Sequence, residues 1–578
     1  MGGEDIVCVV VNLSNGQIED AKSYDSLFTR DKQVQYVNGK VTGTFGNDYR
    51  IDDAGPEIHD VKIGLNNIHT LAGRFSIVSE VDGKLEFAAA DSSGIKEIFY
   101  CINENRLVIS DAFFDLAHLK TCLSLDEDEI AYFVKHGYCR SGQTYFKEVK
   151  RIPPGCALIL DRNNRVSTIC YLSQLEGVPV TYPILRDAID STISNMMNEV
   201  AGKNQFVMFS GGIDSTVILS ALRKKSCQPK AITMRLIPGH HINNHDIEKA
   251  EKIARSMDLQ HIIVDCDFDD SPEVNAIVKL IHQMPFAAHL GLHFLKAFAR
   301  VSETNSAFWN GENSNALYNY GLTGRFEMIP RYLLSIPHIR MLSGIRDYEK
   351  YLPLKQLSDI LVGQYLKHLR KKTGFVIPRT YDQLLSFYDN SDDFIPVGYQ
   401  PCDPIVQKTS NSIGVIEASQ NMFDFSLGSY FTGRDNKVQI LSAQVYGVTS
   451  LSPFHSPNMV QLFRGLKRGW SDILFQRRLL YTYAKKELGF IEVHRITRAA
   501  IARQSRSVMA WEKIVLNSTS YGRYLRSTIP KNATLGREPE NLQQTIGLSW
   551  IEEVCNHIRD GDTDIFSSSE HACSATNL

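Results

Sequence analysis

Ser210-Gly211-Gly212-Ile213-Asp214-Ser215 joins two adjacent glycines to a carboxylate, and few chemistries use that combination. Two glycines let the backbone approach a ligand without Cβ interference, and the N–H groups of a turn that opens a helix face an anion. A phosphate chain fits such a cradle. A carboxylate beside phosphate oxygens repels them unless a divalent cation stands between, so Asp214 implies Mg2+ as well as phosphate. No Gly-Lys-Ser or Gly-Lys-Thr follows, which excludes the Walker loop of the P-loop nucleotide hydrolases. The bland alternative is a tight strand-to-helix turn with an aspartate cap.

The flanks say what must position this loop. Residues 206–209 are a continuous apolar run, as in a strand buried on both faces, and 216–222 have the apolar content of a helix packed on it. Residues 184–200 have helical spacing and lead into that strand. Further strands are expected at 231–236, 261–264 and 306–310, with a helix over 246–257 between the first two. Alternating strand and helix predict a parallel sheet with ligands at the carboxyl ends of its strands. The end of the 231–236 strand is where a nucleotide base would lie, so backbone at 233–235, Thr233 and Met234 foremost, is the candidate for reading adenine.

At 578 residues the chain is too long for one core, and two large domains are expected. Apolar residues make up 43% and charged residues 22%, a globular balance, and a net charge of −3 gives no overall drive toward nucleic acid or anionic membrane. Eleven scattered cysteines without a CxxC pair suit a reducing cytosol better than a disulfide framework, and nothing approaches a membrane span or a secretory signal. Met1-Gly2-Gly3-Glu4-Asp5-Ile6 lacks the Ser or Thr of a myristoylation signal, so a cytoplasmic location is expected.

The first part is rich in short strand signals: 5–13, a hairpin of 73–83 and 84–90 turned at Asp82-Gly83, and 98–102 paired with 106–110. A helix is expected at 126–136, a proline-rich turn feeding a strand at 151–161, and an interdomain linker at 175–183. Residues 326–420 read as largely helical, and 566–578 as a disordered tail.

The hexapeptide at 210–215 resembles the pyrophosphate-binding loop of the ATP pyrophosphatases, which adenylate a substrate and release PPi. The succession Gly73-Arg74-Phe75, Ala90-Asp91, Gly94 to Tyr100, Leu107 to Asp111 and Ile152-Pro153-Pro154-Gly155 resembles the amino-terminal domain of the glutamine-dependent asparagine synthetases. The resemblance implies an α+β, Ntn-hydrolase-like sandwich domain over 1–178. It implies an α/β ATP-pyrophosphatase domain with a parallel sheet and helical additions over 184–565. In that family the glutaminase nucleophile is a cysteine exposed by loss of the initiator Met; this sequence has Gly2 there, so the domain is expected to be a retained scaffold. Cys8, inside an apolar run, reads as a core thiol.

The same resemblance assigns further roles. Gly311 and Glu312 match the family motif at the end of the 306–310 strand, Glu312 standing where the family's acid contacts the acyl-adenylate or the amine. Asn313 replaces the motif's second Gly, Ala316 its following Glu, and Asn315 the aspartate that holds Mg2+ opposite Asp214; an amide oxygen can ligate the ion but brings no charge. Asp246 matches an acid beside the ATP site, or is a helix-start carboxylate favoured by the dipole. Pro453-Phe454 is kept, with His455-Ser456 where the family has Leu-Asp, a form closer to the macrolactam-forming lasso peptide cyclases. The β-lactam synthetases share the fold but carry a tyrosine where Glu312 stands. Arg477 falls where a family lysine reaches the leaving pyrophosphate, with a solvated helix arginine as the alternative.

His240, His241 and His245 read as a polar loop, no further metal ligand being suggested by spacing. The basic stretch 495–531, with Trp511, Tyr521 and Tyr524 interspersed, fits a solvated helical face or a peptide-docking patch better than a nucleic-acid surface at this net charge. The expected activity is an AMP-forming amide ligase using ATP and Mg2+. It would couple a small-molecule or peptide carboxylate to an amine, intramolecularly in a macrolactam, without glutamine hydrolysis. The lasso-cyclase resemblance implies a partner peptidase or precursor-binding protein. The alternatives are an ammonia-dependent synthetase and a non-catalytic nucleotide-binding paralogue serving as an assembly module.

Overall fold

A computed structural model describes residues 7–23, 27–30, 33–43, 65, 68, 71–91, 94–118, 123–140, 142–171, 178–179, 181–236, 239, 241, 243–266, 271–288, 292–301, 305–314, 436–467, 478–488, 513–517, 520–529 and 542–560. Asn315, Arg477, the expected helical region 326–420 and the tail 566–578 lie outside them.

The first strands are β1 (Val7–Asn12), β2 (Ile18–Ser23), β3 (Leu27–Arg30) and β4 (Gln33–Gly43). They are followed by β5 (Leu71–Val81), β6 (Lys84–Ala90), β7 (Phe99–Asn103) and β8 (Arg106–Ser110). Helices α1 (Phe113–His118) and α2 (Glu127–His136) precede β9 (Val149–Arg151), β10 (Cys156–Leu160) and β11 (Val166–Cys170). The hairpin turns at Asp82 and Gly83, both at positive φ, as the Asp-Gly pair predicts. Asp126 caps α2 by accepting from the Glu129 N–H, and Gly137 ends it at φ +78°. Strands β2, β3 and β4 were not expected from the sequence.

These strands form two antiparallel sheets, in the orders β2-β1-β8-β7-β9 and β11-β10-β6-β5-β4-β3. Strand alternation explains how they stack. Val9, Val11, Leu107 and Ile109 of the first sheet share a core with Val78, Ala88, Ala90 and Leu158 of the second. The intervening residues point away: Phe75, Ile77, Phe87, Ala89 and Ala157 fill a core on the far side of the second sheet, and Phe99, Cys101 and Val108 enter a more extensive core outside the first. The part reads as a sandwich because strands such as β6 and β8 carry apolar residues on both faces. Cys8 lies mid-strand in β1, opposite Lys22 on one side and Ser110 on the other.

Residues 178–179 of the expected linker are strand-paired. β12 (Val178–Pro179) pairs in parallel with β18 (Leu466–Lys467), and α3 (Tyr182–Glu199) begins earlier than expected because Pro183 suits a first helical turn. Next come β13 (Asn204–Met208), α4 (Ile213–Lys224), β14 (Lys230–Leu236), α5 (Asn244–Ser256) and β15 (His261–Cys266). They are followed by α6 (Ser271–Gln283), α7 (Leu292–Val301), β16 (Ser306–Trp309), the helix Asn436–Val445 and β17 (Thr449–Leu451). All pairings in this five-stranded sheet are parallel, in the order β15-β14-β13-β16-β17. Phe206 and Phe308 stack across β13 and β16 with centroids 5.0 Å apart.

One core joins the two parts. It runs from Phe99, Phe133 and Tyr145 through Leu280, Phe286 and Trp550 to Phe206, Ile232 and Phe308. Tyr145 donates its hydroxyl to the Pro285 carbonyl at 2.9 Å, and the helix Leu542–Asp560 lies so close to α2 that a Cβ on Gly547 would come 2.8 Å from Val134 Cα. A buried ion cluster crosses the same boundary: Glu97 contacts Lys437 and pairs with Arg151 at 2.7 Å.

Candidate active site

The strand order decides where a ligand goes. From β13 the chain winds outward through β14 to β15, then returns to lay β16 and β17 on β13's other side, so connections leave β13 and β16 in opposite directions. That reversal opens a crevice at the carboxyl ends of β13 and β16. The loop 210–215 follows β13, and Gly311, Glu312 and Ser314 follow β16, so both motifs meet there.

Gly211 adopts φ +66°, and a Cβ there would stand 3.0 Å from Ala250 N and 3.2 Å from Lys249 Cγ. Glycine is thus required twice over, for conformation and for the approach of α5. Gly212 begins α4 without a side-chain cap, and Ser210 Oγ accepts from the Gly212 N–H at 3.3 Å. The hydroxyls of Ser215 and Thr216 both turn back to the Gly212 carbonyl, at 3.3 and 2.7 Å. Ser215 is therefore a brace of the turn. Asp214 sits half-buried in the uncapped first turn, where the helix dipole favours negative charge.

Gly311 closes the crevice against that turn: a Cβ on it would lie 3.0 Å from Asp214 Cβ and 3.1 Å from Ser215 N. Ser314 donates to Asp214 Oδ1 at 2.7 Å. Ser314, to which the sequence reading gave no role, thus engages Asp214 from the β16 loop. Asn313 is 1% exposed, at φ +68°, and donates to the Phe454 carbonyl at 2.9 Å. Its substitution for the motif's glycine is explained, since asparagine tolerates the left-handed region better than most residues. Pro453-Phe454 thus acquires a use: its carbonyl anchors the loop that carries Glu312.

Asn310 positions that loop. Its N–H bonds the Leu451 carbonyl at 2.9 Å, its amide donates to Ser450 Oγ at 3.1 Å, and its oxygen accepts from Ser452 Oγ and from the Glu312 N–H. Asn310, Ser450 and Ser452 are all buried, and β17 is too short and polar to be read from periodicity. Glu312, half-exposed, is placed at the crevice by this brace.

On the other side, the adenine expectation gains detail. The Phe209 N–H bonds the Ile232 carbonyl at 2.7 Å, so by alternation Met234 and Leu236 also face the β13 side, past its end, whereas the Thr233 and Arg235 backbones face β15. Asn243 holds that edge, donating to the Met234 carbonyl at 2.7 Å and accepting from the Leu236 N–H at 3.0 Å. Thr233 contributes through its side chain: it donates to the Phe209 carbonyl and lies 2.8 Å from His261 Nε2. Its single proton being used, the His261 ring nitrogen is the donor. Burial keeps the His261 ring below its ordinary value, with Glu251 opposing that and Arg255 adding to it.

Asp246 is exposed in the first turn of α5, one turn before Lys249. Burial lowers the Lys249 ammonium from its ordinary value, and the Asp246 and Asp214 carboxylates work the other way. Of the three loop histidines, His240 lies outside the described residues. His241 and His245 are exposed, and no group of three metal-capable His, Cys, Asp or Glu side chains exists among the described residues. A cradle that a Cβ would fill, beside one carboxylate, suits an ion that draws its other ligands from phosphate oxygens, so the residues present fit Mg2+ with a phosphate chain.

In the basic stretch, Tyr521 is buried in the main core and Tyr524 stacks on it, whereas Arg523 and Arg526 are exposed. Those two tyrosines are packing residues; residues 495–512, Trp511 among them, lie outside the described residues. No described helix is long and apolar enough to cross a membrane.

Residues 185–382 match the family model described as asparagine synthase, a span that begins beside the expected domain start at 184. This supports the asparagine synthetase superfamily for that region. No curated protein matches the chain. Among solved structures, the chain is similar to NMN synthetase from Francisella tularensis, 17% identical over 25% of this chain and 60% of that one. It is similar to the NH3-dependent NAD synthetase from Campylobacter jejuni subsp. jejuni, 13% identical over 38% of this chain and 100% of that one. A glutamine phosphoribosylpyrophosphate amidotransferase from B. subtilis is 8% identical over 45% and 60%. The TM-score is 0.18 for each, so the fold description rests on the strand order and register above.

Proposed function

We propose that this chain is an ATP-dependent, AMP- and PPi-forming ligase that adenylates a carboxylate and couples it to an amine without hydrolysing glutamine. The observation that carries this reading is the meeting of the uncapped Gly211-Gly212-Ile213-Asp214 turn with Ser314 at the sheet's switch point. The asparagine synthase match over residues 185–382 supports it. Mg2+ would supply charge neutralisation between Asp214 and the phosphates. The loop N–H groups hold the phosphate chain, the strand end at Met234 and Leu236 receives the base, and Glu312 faces the reacting carbonyl or amine. Such work is chiefly positioning and charge stabilisation, because an adenylated acyl group is already reactive.

The amine is held to belong to the substrate, which gives a lactam or macrolactam. Cys8 is paired through its backbone on both sides within β1, and position 2 is glycine where the resembled glutaminases have their cysteine. The test incubates the protein with Mg·ATP and candidate peptide or small-molecule carboxylates, following PPi release and seeking by mass spectrometry a product lighter by one water. Product that appears only with added ammonium would replace this reading by an ammonia-dependent synthetase. ATP binding without turnover would replace it by a nucleotide-binding module, the reading favoured by Asn315 in place of an acid.

A further inference from the structure

We propose that Lys249 is a phosphate-binding residue of this site, holding the β,γ end of the nucleotide from the α5 side. The inference rests on the ATP reading above and adds a cation that neither the sequence motifs nor the resemblance supplied.

The geometry begins at Gly211. Its positive φ and lack of a side chain bring α5 against the loop, with Ala250 N 3.0 Å and Lys249 Cγ 3.2 Å from the place of a Cβ. The stem of Lys249 therefore passes directly over the glycine whose backbone would face a phosphate. The side chain is half-buried, and it interacts electrostatically with Asp214 in the α4 turn as well as with Asp246 one turn before it.

A lysine that only decorated the surface of α5 would pair with Asp246 and turn outward. The described ion pairs of α5 include Arg255 with Glu251 at 3.1 Å, on another face of the helix; none joins Lys249 to Asp246 or to Asp214, and both carboxylates act on it through space, Asp246 the more strongly. The stem over Gly211 brings the ammonium within reach of a triphosphate seated on the loop beside Asp214. A partly desolvated cation there is worth more than one in water, and it acts on the leaving end that must accept charge when the α-phosphorus is attacked. No bond to Lys249 forms or breaks; it binds pyrophosphate oxygens by charge-assisted hydrogen bonds.

The test uses the full chain and calorimetric titration with three probes: Mg·ATP, Mg·pyrophosphate and AMP. Lys249→Met keeps the stem over Gly211 and removes the charge. It is expected to weaken Mg·ATP and Mg·pyrophosphate about tenfold or more while leaving AMP, which has no β,γ end, within about twofold of the parent, and Lys249→Arg should recover most of the loss. Should the Met variant fail to fold, Lys249→Gln carries the same comparison. Unchanged pyrophosphate binding in the uncharged variant overturns the inference, as does an equal loss for AMP. A parent chain that binds AMP but neither Mg·ATP nor Mg·pyrophosphate also overturns it, leaving the base site standing. A parent that binds none of the three overturns the nucleotide reading and the inference together.

Discussion

Ser314 reaches across the crevice to Asp214, its hydroxyl 2.7 Å from the carboxylate, and so ties the loop after β16 to the first turn of the helix after β13. Two segments a hundred residues apart are thereby fixed at the point where the strand order reverses.

That contact sets a graded pair of outcomes. Asp214→Asn should lower Mg·ATP-dependent PPi release by about a hundredfold or more, since the charge facing the cation is gone. Ser314→Ala keeps the carboxylate but loses a hydrogen bond to it, so the apparent Mg2+ requirement should rise about tenfold with little change in fold. PPi release against Mg2+ concentration reads both, and an Asp214→Asn protein as active as its parent would falsify the assignment of the loop.

Gly211→Ala meets a left-handed φ and the Ala250 backbone together. The conformation alone costs about 1–2 kcal/mol, and the contact at α5 adds to it. A lower denaturant midpoint together with weakened ATP binding is expected. Gly311→Ala, pressed against Asp214, should weaken ATP binding with a smaller loss of stability, because only the close contact is involved.

Asn313 separates conformational need from chemical need. Asn313→Gly retains the φ +68° backbone and gives up only the bond to the Phe454 carbonyl, so a loss of about 1 kcal/mol is expected. Asn313→Val forces a β-branched residue into the left-handed region and should cost about 2 kcal/mol or more. Equal midpoints for the two variants in chemical denaturation would contradict this account.

Glu97 should make the joint between the two parts sensitive to acid. Burial works to raise its carboxyl, but Lys437 and Arg151 outweigh that and hold it below its ordinary value of 4.5. A carboxyl depressed by folding stabilises fully above that ordinary value, and the contribution is lost as pH falls below it toward the folded value. Glu97→Gln leaves two buried cations without their counter-charge, at a cost of about 3–5 kcal/mol near neutrality. Denaturant midpoints from pH 5 down to about 3 should fall more steeply for the parent than for the variant; parallel curves would show that the cluster does not govern this range.

Much of the site was legible before any fold was known, for a chemical reason. Two glycines followed by an aspartate after an apolar strand are a local pattern, and local patterns set local conformation: the turn, the helix start and the positive φ at Gly211 all lie within a few residues of their cause. The strands at 231–236 and 261–264 were visible likewise, from apolar runs bounded by helix signals. What the sequence could not show were partners brought together by the strand order. Ser314 stands beside Asn315 with nothing in composition to prefer it, and Asn243 is one more polar residue in a loop.

Lys249 is one of many helix lysines until Gly211 draws α5 over the loop. Asn310 looks like the last residue of a strand, and becomes a brace because the short strand Thr449–Leu451 arrives beside it from more than a hundred residues away. The sequence by itself determined the phosphate-shaped turn and the alternation of strand and helix that carries it. Tertiary structure alone decided which side chains face Asp214, which backbone edge Asn243 holds past the end of β13, and how Glu97 meets Lys437. The physical reason is range: backbone preferences act over a few residues, whereas a hydrogen bond or an ion pair depends on distances that only the packing of the whole chain sets.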